Sequence, residues 1–165
     1  MEGGEVNEST PVVEESLASI GATVMGRNMF GGHPGPWDAQ NPWKGWWGVN
    51  PPFHHPVFVL THHAREPLEL EGGTTFTFVT DGLHAALERA RQAAGGKDVS
   101  LAGGANAARQ YLAAGLVDEM EINLVPTLLG SGERLFEGIG DDLKGLDLVR
   151  TVARPKVTHL KYAKR

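Results

Sequence analysis

Three short segments carry residue types whose spacing suits the capture of an anion. Leu101-Ala102-Gly103-Gly104-Ala105-Asn106 runs an apolar stretch through paired glycines into an alanine-rich helix. Glycines let the main chain approach a ligand closely, and the first N–H groups of a helix point outward with the helix dipole behind them. Phosphate suits such a turn. The alternative is a tight strand-to-helix connection that binds nothing. Val24-Met25-Gly26-Arg27 places an arginine just past a second apolar run. Its planar fork matches a phosphate, and ligands of open α/β sheets bind at that end of a strand. A surface salt bridge is the alternative there. Thr61-His62-His63 follows a third apolar run. Its hydroxyl and imidazole donors suit a ribose 2′-phosphate, against the alternative of a polar turn.

The three segments reinforce one another. If the apolar runs are parallel strands, their carboxyl ends share one edge, and a single extended dinucleotide would touch all three. The chain has neither the G-x-G-x-x-G fingerprint nor a Walker loop. Read from residues alone, the chemistry stops at a nucleotide-like anion. The pairs His54-His55 and His62-His63 raise a metal reading. It is set aside, because both pairs sit in loop-like sequence, and no metal is expected.

The elements that must position these segments alternate between two periodicities. Thr10-Pro11 reads as a helix start, with Val13, Leu17 and Ile20 on its apolar face and Gly21 as its stop. Ala22 to Met25, Val57 to Thr61, Phe76 to Val79, Val99 to Ala102 and Met120 to Val125 read as strands. A brief helix follows Arg27 through Phe30. Asp81 caps a helix carrying Leu83, Ala86, Leu87 and Ala90, ending near Gly95-Gly96. The alanine-rich helix runs to Gly115. Leu146 to Arg154 and Val157 to Tyr162 form a closing hairpin around Pro155, adding an antiparallel edge. Strands alternating with helices predict an α/β fold with a mostly parallel sheet and helices on both faces. Gly31 to Pro56 holds six prolines, five glycines and all four tryptophans. A connection this long is a binding lid or an insertion whose indoles cover core, and both readings stay open.

Bulk properties narrow the class. At 165 residues the chain fits one domain with its own core. A net charge of -5 gives no basic footprint for nucleic acid. The absence of cysteine removes disulfide and thiol chemistry and suits the cytoplasm. No apolar run approaches the ~20 residues of a membrane span, and the polar, acidic first ten residues are not a secretory signal.

Val24-Met25-Gly26-Arg27 resembles the strand-to-helix motif of dihydrofolate reductase. Val99 to Phe136 resembles the C-terminal reductase domain of the bacterial bifunctional riboflavin-biosynthesis deaminase–reductase. It holds Ala102-Gly103-Gly104-Ala105, then Ala114-Gly115-Leu116-Val117-Asp118-Glu119, then Pro126-Thr127-Leu128-Leu129-Gly130-Ser131-Gly132. The resemblance covers about Pro11 to Tyr162. It implies a dihydrofolate reductase-like three-layer sandwich, with a mostly parallel central sheet and an antiparallel C-terminal hairpin, binding NADPH. By the same resemblance Gly103, Gly104, Ala105 and Asn106 hold the pyrophosphate, Gly26 and Arg27 contact cofactor phosphate, and Thr61 and His62 receive the 2′-phosphate end. Asp118-Glu119 orients the strand that follows. Three departures stand out. The family's opening strand, with its Ser-Leu-Asp-Gly-like turn, is not found. Ala102 stands where riboflavin reductases carry a glutamate, and Arg27 to Trp37 holds no Asp-Asp-Pro segment. The last two argue against the riboflavin substrate.

The expectation is therefore a single cytoplasmic reductase-like domain, a homodimer, moving hydride from NADPH to a C=N or C=O bond of a small heterocycle. The catalytic acid is unknown, with Glu8 and Glu14 as candidates and water as another route. The rival is a nucleotide-binding module without turnover, and a structural oligomerisation domain is a third reading.

Overall fold

The computed structural model describes residues 6–140 and 145–165. The elements are α1 (Thr10–Ala18), β1 (Ile20–Gly26), α2 (Arg27–Phe30), β2 (Pro56–Leu60), β3 (Leu68–Glu69), a 3₁₀ turn (Glu71–Gly73), β4 (Thr75–Val79), α3 (Leu83–Ala94) and β5 (Asp98–Leu101). They continue with α4 (Ala105–Ala113), β6 (Glu119–Leu124), β7 (Leu146–Arg154) and β8 (Val157–Lys164). Two compact units result. One spans Ser16–Ala108 and the other combines Glu2–Glu15 with Arg109–Arg165.

In the first unit a five-stranded sheet runs in the order β3-β4-β2-β1-β5. β1 pairs in parallel with β2 and β5, and β2 pairs in parallel with β4. Only β3 is antiparallel. The α/β fold with a mostly parallel sheet is thus as expected. The central strands are apolar on both faces because both are covered. Met25, Phe30, Val57, Val59, Phe76 and Phe78 form the core, with Trp37, Trp47 and Phe53 packed against it. Phe30 meets Phe76 and Phe78 edge-on at 5.1 and 5.2 Å between centroids, a preferred aromatic geometry.

In the second unit β6, β8 and β7 form an antiparallel sheet. The closing hairpin forms as expected, but it does not extend the parallel sheet. Its ladder partner is β6, which meets β8 from Glu119↔Ala163 to Leu124↔Thr158. Asp118 holds Lys164 at 2.7 Å and Glu119 holds Lys161 at 2.8 Å, so both acids orient this sheet.

Three local expectations are corrected. In α1 it is Val12 that is buried, while Val13 and Leu17 are exposed. Gly21 is no helix stop. It lies inside β1, where a Cβ would come within 2.7 Å of the Ala94 carbonyl, so the close approach of α3 demands glycine. Asp81 does not cap α3. Gly82 is the N-cap, without a side-chain bond, and Asp81 pairs with Arg89 instead.

Candidate functional site

The ends of β1 and β5 meet at the paired glycines. Ala102 N–H donates to Val24 O at 2.9 Å, and Gly26 N–H donates to Gly103 O at 2.6 Å. Gly26 is needed for this contact. A Cβ there would lie 3.2 Å from Ala107 Cβ and 3.6 Å from Gly104 N. The structure therefore brings the first two sequence motifs into direct contact. The Gly103–Gly104 peptide is cis, and Gly103 has φ +103°, a region open to glycine. A Cβ on Gly103 or Gly104 would meet nothing within 4 Å, so the turn is open to a ligand rather than plugged by side chains. α4 begins at the next residue, Ala105, followed by Asn106, with its positive dipole end at this turn.

Arg27 starts α2 beside that turn and folds under the tryptophan loop. Its Nη1–H donates to Gly31 O, and its Nη2–H donates to His33 O at 2.9 Å. The guanidinium carbon sits 3.3 Å from the centroid of the Trp37 ring. Its Nε is buried without a hydrogen-bond partner. A second arginine, Arg65, lies 5.0 Å from the centroids of both Trp37 and Phe78. Among the described residues neither arginine is paired with a carboxylate. Burial and the charge of Arg65 both push the Arg27 guanidinium below its ordinary pKa, and burial lowers Arg65 likewise. Two cations against one indole, with no acid between them, form an electrostatic seat for an anion.

Thr61 and His62 stand next to this pair, just past β2. Thr61 is buried, and its Oγ1 accepts the His63 N–H at 3.2 Å, which closes the turn. His62 is exposed. Trp37 Nε1–H donates to His63 O at 2.8 Å, fastening the long loop to the same turn. Along the carboxyl edge the order is thus Thr61 and His62 after β2, Gly26 and Arg27 after β1, then Gly103 and Gly104 after β5.

The tryptophan loop is pinned through its indoles, with Trp37 and Trp47 against the core and Trp43 and Trp46 exposed. Trp43 Nε1–H donates to Phe30 O and Trp46 Nε1–H to Met29 O, both at 2.9 Å. Trp37 and Trp47 join the core. Sequence reasoning missed Arg65, because a lone arginine in a polar loop carries no spacing signal. Its position four residues after Thr61 is the one hint available. The two histidine pairs do no joint work. His54 Nδ1 bonds Gly72 O at 2.9 Å and His55 Nε2 bonds Thr23 Oγ1 at 2.7 Å. In the second unit Glu8 pairs with Arg154 at 3.5 Å, and Glu14 is exposed.

Residues 4–160 match the RibD C-terminal domain family. No curated protein matches the chain by sequence. Similar solved structures include a protein from Shewanella sp. PV-4 provisionally assigned to riboflavin biosynthesis. It shares 21% identity at a TM-score of 0.64, over 100% of this chain and 84% of that one. RibD of Acinetobacter baumannii shares 19% identity at a TM-score of 0.61, over 99% of this chain. This chain spans only 52% of that RibD. A pyrimidine reductase-like protein of Corynebacterium diphtheriae shares 14% identity at a TM-score of 0.55, over 97% of this chain and 82% of that one. No helix among the described residues is long and apolar enough to cross a membrane. With the family matched over nearly its whole length and the fold shared with these structures, the chain belongs to the RibD C-terminal domain family, oxidoreductases on a dihydrofolate reductase-like fold.

Proposed function

We propose that this protein is an NADPH-dependent reductase that transfers hydride to a small heterocyclic or carbonyl substrate. The observation that carries the reading is the contact of Gly26 with Gly103 and Gly104, beside two arginines that share one indole without a carboxylate. The donors fit a phosphorylated dinucleotide. Space is open at the glycine pair, a helix N-terminus follows it, and Arg27 Nε lacks an acceptor. Gly103, Gly104, Ala105 and Asn106 would hold the pyrophosphate. Gly26 and Arg27 would contact cofactor phosphate, and Thr61 and His62, joined by Arg65, would receive the 2′-phosphate end.

NADPH supplies the hydride when bound. The chain supplies position, charge and exclusion of water. Arg27 has its η nitrogens on Gly31 and His33 carbonyls, so its remaining donors are those available to a phosphate. Ala102 precedes the glycine pair, so no carboxylate stands at that position to deliver a proton, and water is the proposed donor. The relatives' names make a pyrimidine-like heterocycle the first substrate to try. A cytoplasmic homodimer acting on a small molecule completes the proposal, and sedimentation equilibrium checks the dimer.

The test has two stages. NADPH is titrated into the intact protein while tryptophan emission is recorded, and saturation at micromolar concentrations is expected. NADPH oxidation is then followed against pterins, pyrimidines and small carbonyls. Absence of binding at micromolar concentrations overturns the reading. Saturable binding with no turnover on any substrate leaves a nucleotide-binding module instead.

A further inference from the structure

The carboxyl edge of the parallel sheet is only one of its two edges. At the amino ends of β1 and β2 the first unit holds a cavity of about 440 Å³. That volume falls within the ~300–1,000 Å³ usual for small-molecule sites. Ile20 and Phe53 give it half-buried apolar walls, with the exposed Leu17 at its rim. Its charged or titratable lining is His54, His55 and Lys97, with no carboxylate.

These three groups keep polar atoms in reserve. His54 spends Nδ1 on Gly72 O, leaving Nε2. His55 spends Nε2 on Thr23 Oγ1, leaving Nδ1. Lys97 has no ion-pair partner among the described residues. The chain as a whole carries a net charge of -5, so a basic lining without an acid is a local reversal of sign. Backbone geometry adds a second pointer. His54, at φ +53°, is the one non-glycine among the described residues in the left-handed region. Such residues gather at ligand sites, where the surroundings hold them.

The charge count selects the guest. Burial first, then His54 and Lys97, hold the His55 imidazole below its ordinary pKa, so it is a neutral hydrogen-bonding group. Lys97 is the one lysine or arginine in the lining. α3 ends at Ala94 and turns its carbonyl end toward this region, which works against any anion and leaves Lys97 to balance at most one negative charge. A dianionic phosphate is poorly matched. A single carboxylate on a flat apolar body matches both the ammonium and the walls.

We propose that this cavity binds a small organic monocarboxylate, with Lys97 holding its charge and Ile20 and Phe53 its apolar body, on the edge of the sheet opposite the reductase site. The proposal stands independently of the reductase reading.

The experiment is an NMR titration of the ¹⁵N-labelled full chain with sodium benzoate, and with inorganic phosphate in parallel. The expected result is a saturable shift of the Gly21, His55 and Lys97 amides with benzoate, with Gly26, Gly103 and Gly104 unmoved. Lys97→Met removes a charge-assisted contact and weakens benzoate about tenfold. Leu17→Glu, at an exposed rim position, places a like charge at the mouth and weakens it by a similar factor. The proposal is overturned by unshifted amides at Gly21, His55 and Lys97, or by shifts centred on Gly26 and Gly103. Wild-type affinity in Lys97→Met, or an equal response to phosphate, overturns it as well.

Discussion

The Arg27 guanidinium carbon lies 3.3 Å above the Trp37 ring, and the same indole faces Arg65 at 5.0 Å. One side chain thus carries both cations of the proposed anion seat and joins the core beneath them. Cation–π contacts between desolvated groups are worth up to about 2 kcal/mol each, so the pair depends on the ring.

Trp37→Ala is expected to destabilise the protein by about 3 kcal/mol, the low end of the range for truncating a core aromatic, because Trp37 is partly buried. Trp37→Phe keeps a ring under Arg27 but loses the bond from Nε1 to His63 O, at a cost of about 1 kcal/mol. Urea unfolding of both variants checks the ordering. Equal losses would show that the ring itself contributes little.

Much of the site was legible in the sequence because its parts are main-chain features. Val57 to Leu60 is apolar throughout, Phe76 to Val79 alternates, and a glycine pair between a strand and a helix has few structural uses. What escaped depends on tertiary neighbours. The buried face of α1 is set by what packs on it, so Val12 rather than Val13 or Leu17 turned inward. The two-residue β3 is too short to show a period and exists through pairing with β4. Whether the tryptophans formed a lid or a packed cover turned on carbonyl positions that no local pattern encodes.

Arg65→Gln is expected to weaken NADPH binding about tenfold while leaving NADH nearly unchanged, because only the first carries the 2′-phosphate. Parallel titrations with the two cofactors measure the ratio. Equal weakening of both would place Arg65 outside the phosphate contact and in the loop's packing, where it donates to Trp43 O at 2.5 Å.

Gly26→Ala and Gly103→Ala act by different physics and should separate. At Gly26 the new Cβ presses on Ala107 Cβ at 3.2 Å, shifting the first turn of α4 beside the glycine pair, and NADPH affinity falls about tenfold. At Gly103 nothing is in the way, but φ +103° strains any larger residue by about 1–3 kcal/mol. The new Cβ also fills space left open for the pyrophosphate, so stability and affinity drop together. Denaturation midpoints and cofactor titrations on both variants distinguish the two.

His55 gives the stability a pH dependence of known sign. Burial, His54 and Lys97 lower its folded pKa below the ordinary 6.5. The unfolded chain therefore binds more protons in the window beneath 6.5. Its contribution is complete above that pH, falls as pH drops toward the folded value, and levels off below it. His55→Gln should remove that slope in urea midpoints collected across the mildly acidic range. An unchanged slope would assign the dependence to other groups.

Three of the four indoles fasten the long loop through N–H bonds to the carbonyls of Met29, Phe30 and His63. Every residue type owns such a carbonyl. The attachment is therefore blind to side-chain identity at the receiving end and rests on where the tryptophans fall along the chain. Between the first two anchors Asp38 Oδ1 accepts the Gln40 and Asn41 N–H groups, and residues 39–42 are free to vary in kind. Lengthening or shortening that stretch would shift each later indole off its acceptor together, so insertions should harm this loop more than substitutions do.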